Sequence, residues 1–134
     1  MTAQDLGVTT FDYVLSPFTG EYAAIDRTYE ELHTSFVRIV ETYHKGPLPQ
    51  AGSLLTVTID GMTAENVSLM ACKKAQDGDG LVFRLRETAG RDTNAVLTWM
   101  GQSYPVHLAP CGIATYRLCG RGFVRSNFLE DLPE

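Results

Sequence analysis

Residues 67–87 read VSLMACKKAQDGDGLVFRLRE, two β-rich segments on either side of an acidic, glycine-containing tetrapeptide. In the second segment Leu81, Phe83 and Leu85 share one parity and Val82, Arg84 and Arg86 the other, the period of two that a strand requires. Asp-Gly pairs accept the positive backbone angles of hairpin turns, so DGDG is expected to join two antiparallel strands. Asp77 and Asp79 also offer oxygens to a hard cation. A calcium loop of the EF-hand type, however, needs further ligands, a glutamate at fixed spacing and flanking helices.

Outward from this hairpin the same signals recur. SLLTVTI at 53–59, the segments at 95–100, 104–108 and 113–118, SFVRIVETY at 35–43 and VTTFDYVL at 8–15 all read as strands. DGMTAEN reads as a turn, GQS and APCG as short hairpin-like connections, and FVRSNFLEDLPE is ambiguous between strand and coil. EYAAIDRTYEEL places Tyr22, Ile25, Tyr29 and Leu32 at intervals of three and four, an amphipathic helix. The expected fold is mainly β: an antiparallel β-sandwich of about eight strands with one short helix near the N-terminus. The 134 residues are expected to form a single domain, with 1–33 a strand-plus-helix arm and 34–134 the sandwich.

The chain carries a net charge of −5, and its 11 basic residues are scattered, which argues against a nucleic-acid partner. No apolar run approaches the roughly 20 residues of a membrane-spanning helix, so no membrane partner is expected. MTAQDLGVTTF lacks the basic start and apolar core of a secretory signal. Cys72, Cys111 and Cys119 match no zinc-finger or CxxC spacing. A cytoplasmic location with reduced thiols is expected.

No catalytic motif emerges. His33, His44 and His107 form neither HExxH nor HxH, and a Cys111–His107 nucleophile pair would have to cross a proline-containing turn. Neither a metal nor a cofactor site is expected in the chain. Trp99, with Tyr104 and Tyr116, offers rings that stack on a sugar or fill a core.

Taken in order, the motifs resemble a known family. NVSLMACKKAQDGDGLVFRLRE, Asn66 to Glu87, is similar to the segment of family 38 glycoside hydrolases in which a strand, KKA-DGDG and a strand ending RL-E recur in the C-terminal β region. FDYVLSPFTGEY resembles that family's aromatic strand and helix start, PLPQAGSLLTV its proline-rich loop, HLAPCGIATYRL its closing strands, and NFLEDLPE its tail. The resemblance runs from about Phe11 to the C-terminus and is nearest to the cytoplasmic and vacuolar α-mannosidase branch. Arg86 stands where that branch has an aromatic residue, and LHTSF replaces an Asn-x-Pro.

The resemblance implies a non-catalytic C-terminal domain that supports the catalytic domain of a zinc-dependent, retaining α-mannosidase and lends loops to its cleft. The nucleophile, acid/base and zinc ligands belong to that separate domain, so no catalytic residue is carried over and the catalytic domain is the expected partner. Carbohydrate is a second expected partner, with Arg84, Glu87 and Trp99 as the candidate substrate-binding residues. Arg84 is also placed for a bidentate carboxylate across the sheet or between domains. A docking face left bare is expected to self-associate. Two other readings stay open: a free-standing carbohydrate-binding module, with Trp99 as platform, and a small β enzyme in its own right.

Overall fold

The computed structural model describes residues 7–15, 17–20, 23–34, 37–42, 45–47, 49 and 51–133, with side chains in the helix described at 25 and from 28 onward. One helix, α1 (Ala23–His33), precedes eight strands: β1 (Leu55–Ile59), β2 (Met62–Thr63), β3 (Val67–Lys74), β4 (Leu81–Glu87), β5 (Thr93–Trp99), β6 (Gln102–Leu108), β7 (Ile113–Cys119) and β8 (Gly122–Ser126). They form two antiparallel sheets, ordered β2-β1-β5-β6 and β3-β4-β7-β8. The fold is the β-sandwich that the alternating segments imply.

Alternation decides which side chains meet between the sheets. Phe83 and Leu85 on β4, Ala114 and Tyr116 on β7, Ala95 and Leu97 on β5, and Val106 and Leu108 on β6 form one buried cluster. Phe123 on β8 stacks on Tyr104 from the first sheet at 4.5 Å and on Tyr116 from the second at 5.0 Å. The Tyr116 hydroxyl accepts the amide of His107 at 2.8 Å and donates to its carbonyl at 3.0 Å. That contact ties the second sheet to edge strand β6 and takes up two backbone groups that a foreign strand would seek.

The DGDG hairpin joins β3 to β4 as the sequence implies, with Lys74 opposite Leu81. Gly80 is required there: its φ is +89°, and a Cβ would lie 2.1 Å from the Leu118 carbonyl oxygen of the neighbouring strand. A bulge between Leu69 and Ala71 interrupts the ladder of edge strand β3.

Four expectations are corrected. VTTFDYVL at 8–15 is not a strand: Val8 is 98% exposed, and among the described residues the segment pairs with nothing. Residues 37–42 of SFVRIVETY are likewise outside any strand, with Val40 98% exposed, while 35, 36 and 43 lie outside the described residues. β-Propensity records how well a side chain suits a pleated surface, and a strand forms only where a neighbour completes the ladder. Conversely, DGMTAEN contains β2, and the ambiguous tail supplies β8, because each pairs with an adjacent strand. Finally, APCG is not a hairpin: it carries the chain from β6 in one sheet to β7 in the other. Among the described residues the first strand begins at Leu55.

The helix overlaps the predicted stretch and runs one residue beyond it to His33, while Tyr22 lies outside the described residues. Tyr29 and Leu32 stay largely exposed, so its apolar stripe is not covered by the sandwich.

Candidate functional site

Three connections cross between the sheets at one end of the sandwich: 64–66, 88–92 and 109–112. Glu87, the last residue of β4, points inward by the same alternation that buries Phe83 and Leu85, and is 1% exposed. Its Oε1 accepts the Asn66 side-chain amide and the Ala89 backbone amide, each at 2.9 Å. Its Oε2 accepts the amides of Gly90 at 2.7 Å, Arg91 at 3.1 Å and Cys111 at 2.9 Å. One carboxylate therefore binds a residue from each of the three crossings. Burial opposes its ionisation, but the Cys111 amide, the Asn66 side chain and the amides of Ala89 and Arg91 outweigh it and bring the pKa down to about 2. Thr93 extends the cluster, accepting from Asn66 at 2.8 Å and donating to the Arg91 carbonyl at 3.2 Å.

A second polar cluster lies on the outer face of β3-β4-β7-β8. The Arg117 side chain is buried although it faces away from the core. Its Nη2 binds both Asp77 oxygens at 2.7 and 2.6 Å, its Nε donates to the Asp79 carbonyl at 2.9 Å, and its Nη1 donates to the Glu130 carbonyl at 3.1 Å. The acid of DGDG therefore holds a guanidinium. The Asp79 amide and Arg117 keep the Asp77 carboxyl below its ordinary range.

Residues 127–133 fold back across this face as a strap. Glu130, 7% exposed, pairs with Lys73 and accepts the Gln76 amide at 2.9 Å, and these contacts lower its pKa. Val82, on the same outward parity, is 0% exposed. Arg121 donates to the Pro133 carbonyl at 3.0 Å. Among the described residues Arg84 takes no carboxylate across the sheet. Its Nη2 donates to the Phe128 carbonyl at 2.9 Å, its Nε donates to Thr115 at 3.2 Å, and its guanidinium lies 4.0 Å from the Phe128 ring centroid. The strap places a carbonyl and a ring where a cross-strand acid was anticipated.

The three sequence-derived substrate candidates are thus held in different surroundings: Glu87 inside the crossings, Arg84 under the strap, and Trp99 half-buried against the core with its ring 5.5 Å from Phe83, edge to face. Asn66, Arg117, Lys73 and Glu130 were missed. An arginine in the apolar strand IATYRLC was the one signal for Arg117.

Cys72, Cys111 and Cys119 are free thiols. His107 contacts Asp92 at 2.9 Å at the surface, His33 meets the Tyr29 carbonyl within the helix, and His44 lies outside the described residues. Among the described residues no three His, Cys, Asp or Glu side chains converge as a metal site requires. No helix among them is long and apolar enough to cross a membrane. A cleft of about 530 Å³ separates α1 from the extended segment before it, lined by Tyr13, Phe18, Ile25, Tyr29 and Leu32 among others.

What this geometry defines is a sandwich whose buried charges hold its own loops and terminus together. Residues 66–130 match the family model for the glycosyl hydrolases family 38 C-terminal beta sandwich domain. The match begins at Asn66, the first Glu87 ligand in the chain, and runs to Glu130 in the strap. The motifs FDYVLSPFTGEY and PLPQAGSLLTV lie upstream of it, as do β1 and β2. No curated protein and no solved structure matches the chain.

Proposed function

We propose that the chain is a non-catalytic, supporting domain of a family 38 glycoside hydrolase that removes terminal α-mannose, and that it docks against the catalytic domain and contributes to the rim of its cleft. The engagement of Glu87 carries this reading. A glycosidase carboxylate must reach a glycosidic oxygen, an anomeric carbon or a water, whereas both Glu87 oxygens are buried and filled by five donors. Zinc and the reacting carboxylates then belong to the catalytic domain. The exposed apolar residues between Val8 and Val40 supply the docking face, through which the isolated chain self-associates. Three free thiols are consistent with a cytoplasmic setting.

The test is a pair of assays with an aryl α-mannoside in the presence of zinc. The chain alone should show no turnover, while a family 38 catalytic domain should gain thermal stability when the chain is supplied with it. Hydrolysis by the purified chain would overturn the proposal.

A further inference from the structure

We infer that the outer face of the second sheet is a receptor for a short, turn-forming peptide carrying an aromatic residue two positions before a glutamate, and that residues 127–133 occupy it in cis. The strap is not a strand of the sheet. It lies across strands β3, β4 and β7 and is held through contacts that suit a bound peptide: a ring on the Arg84 guanidinium, main-chain carbonyls on Arg84 and Arg117, and a carboxylate on Lys73 and the Gln76 amide. Each receptor group belongs to the sheet or its hairpin, whereas each ligand group belongs to the strap. Arg117 is fixed independently by Asp77 and the Asp79 carbonyl, so the receptor keeps its shape when the strap leaves. The strap also closes on itself: the Asp131 amide donates to the Asn127 side chain at 2.9 Å and the Glu130 amide to the Asn127 carbonyl at 3.1 Å. Glu130 adopts a φ of 75° at the end of this turn, in the left-handed region uncommon for a residue with a side chain.

A tether this short gives an effective concentration of about millimolar or higher, so a strap that is seated in cis requires a dissociation constant in trans no weaker than about that order. The probe is the peptide NFLEDLP, titrated into isotopically labelled full chain carrying F128A and E130A, which removes the ring and the carboxylate from the strap and leaves every receptor residue in place. Saturable shifts at Lys73, Gln76, Arg84 and Arg117 are expected. They should weaken at least tenfold when the peptide glutamate becomes glutamine or when R84A is added, and the unaltered chain should not respond. Absence of shifts in the folded double variant, or equal shifts with a scrambled peptide, would overturn the inference.

A second measurement needs no variant. In the unaltered chain, the Gln76 amide, which donates to the Glu130 carboxylate, should exchange hydrogen at least a hundredfold faster than the backbone amides of Phe83 and Tyr116. Equal protection would mean that strap and sandwich open only together, which also overturns it.

Discussion

Glu87 ends a strand whose inward parity is otherwise apolar, and only the donors gathered from three crossings make a charge tolerable there. Replacing it by glutamine puts an NH₂ group among those donors and should cost about 3 kcal/mol in a urea melt, the order seen when one partner of a buried charged cluster is lost. Its folded pKa of about 2 lies below the ordinary 4.5, so its stabilisation is complete above about pH 4.5 and is lost as pH falls toward 2. Asp77 and Glu130 are shifted in the same direction. The midpoint of denaturation should therefore fall on the acid side of pH 4.5, and less steeply in E87Q. Gly80 offers a steric counterpart. G80A drives a methyl into the Leu118 carbonyl and should destabilise by about 3 kcal/mol, whereas G120A, with open space around it, should stay within about 0.5 kcal/mol on the same scale.

At the scale of elements, strand identity tracked pairing rather than composition. LVFRLRE became a strand between two neighbours, β3 and β7. VTTFDYVL, with a comparable alternation, has no ladder partner among the described residues and stays exposed. Met62–Thr63, in a stretch read as a turn, pairs because β1 lies beside it. Edge strand β6 is guarded by Tyr116, whose hydroxyl takes both backbone groups of His107. Y116F should cost about 1 kcal/mol and leave those groups open to another strand. Static light scattering on concentrated Y116F should then show more association than the parent chain at equal concentration.

For the whole molecule, the sandwich from Leu55 onward contains the core, the Glu87 cluster and the strap, while the residues before it contribute few described contacts. Removing residues 1–50 should leave the calorimetric melting temperature within a few degrees, because little area buried against the core is lost. The same truncation should abolish concentration-dependent self-association, since Phe11, Tyr13, Leu15, Tyr29, Leu32, Val37 and Val40 leave with it. A truncated chain that still dimerises would move the docking face onto the sandwich itself.

By itself the sequence determined the two-residue period of most of the sandwich strands, the DGDG and GQS hairpins, the short helix and the likeness to the C-terminal β region of family 38. These are local properties, written in alternation and in turn residues that accept positive φ. Only the tertiary structure decided that 8–15 stands without a ladder partner among the described residues, that the tail becomes β8 and a strap, and that APCG passes between sheets. It also decided what the charges do. Glu87 binds groups 21 residues upstream and 24 downstream, Arg117 binds Asp77 from 40 residues away, and Arg84 reaches Phe128 across 44. Partners at those separations are selected by the packing of two sheets, and no spacing along the chain encodes them.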